Sequence, residues 1–209
     1  MLHLLLIPFL ALGGLFHSHQ TTYTKMVDRV QSSIIRVTGE KDFMTQFGPM
    51  HGMYVCTGEG IDQDRVLTAG HCAGDAMTAD GQPAKLLKVD EHADLALLET
   101  ATHKPFLHFS HSHVKRFDTL TAIGYAFGIN VITVLDVKAF LFDITPPWEA
   151  ADEKSAPGML MQNSVIGGMS GGPIVNQKGQ QVGIVQQGGE GISYGVDITQ
   201  IEAFLEGAL

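Results

Sequence analysis

Three short segments of this chain carry residue types that together could perform nucleophilic catalysis. The first is Gly167-Gly-Met-Ser-Gly-Gly-Pro173, a serine set among glycines. A serine nucleophile must stand on a sharply turned backbone, so that its hydroxyl projects and nearby amide hydrogens converge where a carbonyl oxygen becomes negative. Glycines permit that turn, which makes Ser170 the candidate nucleophile and the amides of Gly168 and Ser170 the expected oxyanion donors. Taken alone, an ordinary glycine-rich hairpin with an exposed serine reads the same way.

The second segment is Leu67-Thr-Ala-Gly-His-Cys72, where a β-rich run ends at small residues that leave room around an imidazole. A serine hydroxyl is almost wholly protonated near neutral pH and needs a base, and histidine is the side chain whose ordinary pKa suits that task. His71 is the candidate. The other histidines that cluster in sequence, His103, His108, His111 and His113, read as exposed linker residues. Their spacing is not diagnostic of a metal site, and neither a metal nor another cofactor is expected. In the third segment, Asp90 to Leu98, Asp94 immediately precedes an apolar run suited to a buried strand. A carboxylate there can receive the second ring nitrogen of His71, fix its tautomer and stabilise the imidazolium. Asp75, Asp80, Asp90 and Glu91 are alternatives on composition, but each lies in a turn-like setting.

The elements that must position these groups are short and mostly extended. Runs at 33–37, 53–57, 65–68, 86–89 and 95–98 read as strands bounded by Gly, Asp, Pro and Asn, and a second series covers 120–124, 130–140, 159–163, 173–176, 181–187 and 192–196. The histidine-rich stretch 101–117 lacks a sustained period and reads as the connection between two halves, so two barrels of similar size are expected, at about 30–105 and 117–197. Ile198, Ile201, Phe204 and Leu205 fall on one helical face, and Thr199 with Glu202 reads as a capping box, which predicts a terminal helix over about 199–208 docked on the second barrel.

With 209 residues, 44% of them hydrophobic, the chain can bury a core and lacks the signature of disorder. Its 22 acidic against 13 basic residues give a formal charge of −9, which repels phosphate backbones and anionic membranes and makes nucleic acid an unsuitable partner. Residues 1–19 contain no charged side chain; their apolar run Leu4–Leu12 has the length of a signal-peptide core, and Ala11-Leu-Gly13 places small residues at the positions a leader peptidase inspects. The expectation is therefore an exported, secreted or periplasmic, protein. A membrane anchor is the alternative if the segment is retained, and a buried N-terminal strand is the bland one. Two cysteines alone prove no bridge; if Cys56 and Cys72 were joined, the closed loop would contribute about 3 kcal/mol and require an oxidising compartment.

The three motifs, in the order His, Asp, Ser, resemble those of the chymotrypsin-like (trypsin-fold) serine peptidases: Thr68-Ala-Gly-His-Cys72, Asp94-Leu-Ala-Leu-Leu98 and Gly168-Met-Ser-Gly-Gly-Pro173. The resemblance runs from about Ser33 to the terminal helix and covers a single peptidase domain within 25–209. It implies an all-β fold of two six-stranded antiparallel barrels with a C-terminal α-helix. It also implies a serine endopeptidase that forms an acyl-enzyme on protein or peptide substrates, probed against a catalytically silent, peptide-binding homologue as the alternative. Cys56 and Cys72 match the half-cystines that bracket the family's histidine loop, which implies a disulfide. Where zymogen-activated members have an aspartate before the serine, this chain has Met169, and no basic residue precedes Ile34-Ile35. The resemblance is accordingly closer to the bacterial HtrA-like and glutamyl-endopeptidase-like branches, and implies a site that needs no trypsin-style activation. By the same resemblance, Ser164 lies at the base of the specificity pocket, with Gln186, Gln187 and Gly188 and the segment Ile192 to Tyr194 along its walls. No unpaired acid is expected there, so small or uncharged polar side chains are favoured over Lys or Arg, and the protein is expected to be monomeric.

Overall fold

The computed structural model describes residues 10–45, 48–101, 104–145 and 156–207. An N-terminal helix, α1 (Leu10–Gln31), leads into β1 (Ile34–Thr45), β2 (Gly48–Gly60), β3 (Arg65–Ala69), β4 (Asp75–Ala79), β5 (Gln82–Pro83), β6 (Lys85–Asp90) and β7 (Leu95–Glu99). After the connection come β8 (Thr119–Tyr125), β9 (Ile132–Ile144), β10 (Gly158–Gln162), β11 (Pro173–Val175), β12 (Gln181–Gly189), β13 (Ile192–Asp197) and α2 (Ile198–Leu205).

The first seven strands form one antiparallel sheet in the order β5-β4-β1-β2-β3-β7-β6, and the last six close into a barrel in the order β10-β13-β12-β11-β8-β9. The expected all-β architecture of two sheets and a terminal helix is thus present, the first sheet being a seven-stranded half-barrel and the second the closed six-stranded one. The second barrel is filled by Leu120, Val137, Met159, Met161, Met169, Ile174 and Val185, and the first sheet packs Ile35, Val37, Val66, Met77 and Leu98 around Cys56 and Cys72. Each such large side chain, taken out of water, contributes about 1.5–3 kcal/mol.

Between the sheets, Leu67, Leu95 and Leu97 of the first meet Ile184 and Val196 of the second, together with Ile201, Phe204 and Leu205 of α2. The terminal helix therefore lies across the seam rather than on the second barrel alone. The Lys88 ammonium, from β6, stacks 4.7 Å from the Phe204 ring centroid. Its cap also differs from the expected Thr199 box: Asp197 is the N-cap, and its carboxylate accepts from the amides of Thr199 and Gln200 and from the Thr199 hydroxyl. A charged carboxylate two residues earlier satisfies two orphan amides at once and engages the very hydroxyl that the box would have used.

The leader-like run falls mainly on residues 1–9, outside the described residues, and from Leu10 the chain is helical rather than extended. The helix packs through its C-terminal half: Met26 and Val30 are buried against Ile34, Leu107, Ile123, Tyr125 and Val175. Arg29 donates to the Lys178 carbonyl and the Tyr23 hydroxyl to Asp136 at 3.0 Å. Cleavage near Gly13 would leave all these contacts in place. Among the described residues no helix is long and apolar enough to cross a membrane.

Candidate active site

The histidine and its carboxylate come from neighbouring elements of the first sheet. β3 and β7 pair with Ala69 opposite Leu95, so the residues just beyond their paired ends, Gly70-His71 and Asp94, are adjacent. Gly70 is required for that closeness, because a Cβ there would stand 2.9 Å from the Leu95 nitrogen and 3.1 Å from the Asp94 Cα. Asp94 itself takes φ 51, a left-handed conformation that aspartate tolerates better than most residues. Its buried carboxylate accepts from the His71 amide at 2.6 Å and faces Nδ1 at 2.8 and 3.1 Å. A carboxylate only accepts, so Nδ1 carries a proton, and in the neutral ring the lone pair falls to Nε2. The His71 side chain is 43% exposed.

Three further contacts hold the histidine turn. Cys56 and Cys72 form a disulfide, the Tyr54 hydroxyl donates to the Cys72 carbonyl at 2.5 Å, and Lys41 Nζ donates to the His71 carbonyl at 2.6 Å. Burial, followed by the nearby Asp75 carboxylate, pushes the Tyr54 hydroxyl up to about 12, so it remains a donor throughout the working range of a peptidase. Cys56, His71 and Cys72 bring ligand-type atoms within 4.8 Å of one another, but the bridged sulfurs offer no thiolate to a metal.

The serine comes from the turn before β11, in the second barrel. It is brought against β2 of the first sheet, where the Thr57 amide donates to the Ser170 carbonyl at 2.9 Å and the Cys72 sulfur lies 3.9 Å from the same oxygen. Gly171 has φ +82, and a Cβ there would meet the Thr57 carbonyl oxygen at 2.2 Å, so only glycine lets the two sheets approach at this point. The Ser170 hydroxyl donates to the Gln186 carbonyl at 2.9 Å and makes no hydrogen bond with His71. The structure thus joins His71 to Asp94 directly, while the Ser170 hydroxyl is engaged by the Gln186 carbonyl of β12.

Within the serine turn the amides of Met169, Gly171 and Gly172 donate to the carbonyls of Ile166, Val185 and Met169, while those of Gly168 and Ser170 donate to none among the described residues. Their directions are fixed indirectly. A trans peptide is planar with N–H and C=O pointing opposite ways. The Gly167 oxygen is taken by the Phe127 amide at 2.7 Å and the Met169 oxygen by the Gly172 amide at 2.9 Å, so the two unused N–H groups point away from these anchors. Met169, at the position where an acidic side chain would face the activation terminus, is fully buried in the second barrel core.

The residues expected to form the specificity pocket do not all line one depression. Gln187 and Gly188 do, together with Gly189, Glu190 and Ile192. Ser164 lies at its edge, where its hydroxyl accepts from the Gly191 amide at 2.6 Å. Gln186 offers its carbonyl to Ser170, whereas Tyr194 is fully buried with its hydroxyl 2.7 Å from the Ile144 and 2.8 Å from the Ala156 carbonyl oxygen. The depression also holds an acid outside the segments expected to form the walls: Glu190, on the turn between β12 and β13, lines it and is exposed. Sequence reasoning passed over it because it lies between strands. The linker histidines are elsewhere: His111 faces Glu202 at 3.7 Å, and among the described residues His108, His111 and His113 share no ligand position; His103 lies outside them.

Comparison with known proteins agrees with this fold. Residues 56–184 match the family model described as the trypsin-like peptidase domain. Among solved structures, the active form of the Rv3671c protease from M. tuberculosis superposes with a TM-score of 0.75 at 20% identity, over 87% of this chain and 82% of that one. The HtrA-type protease AlgW with a decapeptide gives a TM-score of 0.68 at 18% identity, over 88% of this chain and 68% of that one. No curated protein matches the sequence. The chain belongs to the trypsin-like peptidase domain family, and is a serine-type endopeptidase of trypsin fold.

Proposed function

We propose that the protein hydrolyses peptide bonds by acyl transfer through His71, Asp94 and Ser170, with the amides of Gly168 and Ser170 as the oxyanion hole. The observation that carries this reading is the pair of unused amides in a turn where the N–H groups of Met169, Gly171 and Gly172 are bonded, together with a histidine whose Nδ1 is held by a buried carboxylate. In the resting state the Ser170 proton rests on the Gln186 carbonyl. Rotation about χ1 carries the hydroxyl to Nε2 of His71, which takes the proton as Oγ attacks the carbonyl carbon. The tetrahedral oxyanion is received by the two amides, His71 returns the proton to the leaving amine, and water then repeats the sequence on the acyl-enzyme. Asp94 stabilises the imidazolium in both halves.

No activation cut enters this scheme. Ile34 is buried at the start of β1 in unbroken continuity with α1, and Met169 offers no carboxylate to a new terminus. The disulfide supports an oxidising, exported location. The second reading, a silent homologue that holds peptides in the same cleft, draws on the orientation of the Ser170 hydroxyl. Labelling with a fluorophosphonate separates the two: the acyl-transfer reading expects one adduct on wild type and none on Ser170→Ala. Equal labelling of both proteins removes Ser170 as nucleophile, and no labelling of either favours the binding reading.

A further inference from the structure

The serine turn is held in shape by anchors on its carbonyl oxygens, and one anchor is a side chain. The Thr57 hydroxyl, from β2 in the other sheet, donates to the Gly168 carbonyl at 2.7 Å and accepts from the Tyr125 amide at 2.9 Å. An amide can only donate, so the single hydroxyl proton of Thr57 is committed to Gly168 and its direction is fixed. Thr57 is wholly buried, and a bond there is not diluted by exchange with water. The Gly168–Met169 peptide that it grips lies between the two unused amides. That plane links the two planes that carry the donors, so an uncompensated change of ψ at Gly168 or φ at Met169 alters the angle between them and spoils their convergence on one point. Gly168, at φ +95 and without a side chain, has little resistance of its own to such rotation.

Resting on the acyl-transfer reading, we infer that Thr57 is a positioning residue for the oxyanion hole: its hydroxyl holds the Gly168–Met169 peptide in the orientation that aims the Gly168 and Ser170 amides at one oxygen. The same residue donates its amide to the Ser170 carbonyl and accepts the Thr68 hydroxyl at its own carbonyl, 2.7 Å away. Thr57 therefore ties the oxyanion turn to the strand that leads to His71. No charged partner for residue 169 is needed for this, because the restraint comes from across the sheet boundary. The packing makes room for it: a Cβ on Gly124 would stand 2.7 Å from Thr57 Oγ1.

The test compares Thr57→Val, which keeps the shape and deletes the hydroxyl, with Thr57→Ser, which keeps the hydroxyl. Loss of one oxyanion donor costs about 100-fold or more in kcat, and a loosened pair is expected to cost roughly 10- to 100-fold in the valine variant. KM should change far less, Thr57→Ser should recover most of the rate, and affinity for a peptide boronate should fall in step with kcat while affinity for a product peptide does not. If Thr57→Val does not fold, Thr57→Ala set against Thr57→Ser carries the same comparison. A folded Thr57→Val with wild-type kcat, or a loss that serine does not restore, overturns the assignment. Fluorophosphonate labelling of the wild type is read alongside: an unlabelled wild type sinks the acyl-transfer reading itself, whereas a labelled wild type with an equally active valine variant sinks only the role of Thr57.

Discussion

Glu59 gives a prediction whose sign and slope follow from the structure. It lies on β2 at the seam between the sheets, wholly buried, and among the described residues its side chain is hydrogen-bonded by Gln181 of β12, which donates Nε2 to Glu59 Oε1. Among the described residues, the other oxygen of each side chain, Glu59 Oε2 and Gln181 Oε1, has no hydrogen-bond partner. Nearby cations are engaged elsewhere: Lys104 with Asp80 and the Ile34 carbonyl, and Arg65 with Asp62. Burial therefore dominates and holds the Glu59 carboxyl well above its ordinary 4.5, against a smaller opposing effect from the Gln181 hydrogen bond. Below the unfolded value the group is protonated in both states and its contribution to stability is fully present. As pH rises above it, the unfolded chain loses the proton and the folded one does not, so stability declines until the folded group itself ionises. The slope is at most about 1.4 kcal/mol per pH unit. For a protein of this size that is a fall in Tm of about 3–6 °C per unit. Glu59→Gln removes the titration and places an amide where Oε2 stood, a donor for the unpartnered Gln181 oxygen. Thermal unfolding of both proteins from pH 4 to 9 should give similar Tm values in acid, with the glutamine variant increasingly the more stable as pH rises. Parallel profiles across that range would refute a neutral, buried Glu59.

Two further perturbations probe the histidine side of the site. Asp94→Asn keeps the shape but removes the acceptor that fixes the Nδ1–H tautomer; kcat is expected to fall by roughly 10⁴-fold with little change in KM, measured with a chromogenic peptide, and a loss under tenfold would contradict the assigned role. Removing the disulfide with Cys56→Ser and Cys72→Ser together is expected to cost about 3 kcal/mol, or roughly 6–12 °C in Tm, by calorimetry under oxidising conditions; an unchanged Tm would mean that the bridge does not constrain the unfolded chain.

The triad types were legible because each sits in a local pattern with a mechanical reason: small residues around His71, an apolar strand after Asp94, glycines around Ser170. What joins them was not. Thr57 and Gly168 are 111 positions apart, and nothing local in a Cys-Thr-Gly sequence announces a hydroxyl that reaches into another sheet. The second half of α1 was missed for a related reason. Its Thr, Tyr and Val residues have modest helix propensity, and the segment is held by Met26 and Val30 docking on residues up to Val175. β4 escaped notice because Asp75-Ala-Met-Thr-Ala79 has little β-branched character and carries its second residue, Ala76, at φ 46, yet it pairs with β1 through Val37 and Ala79. Glu190 shows the converse limit, since a turn residue reveals its bearing on a cleft only once the strands on either side are paired.

The central claim is a covalent bond between substrate and the 170 side chain. Rapid acid quenching during turnover of an activated peptide ester, followed by digestion and tandem mass spectrometry, is predicted to find the acyl group on Ser170 Oγ. Turnover with the acyl group on another residue, or with no acyl-enzyme although release is the slow step, would contradict it.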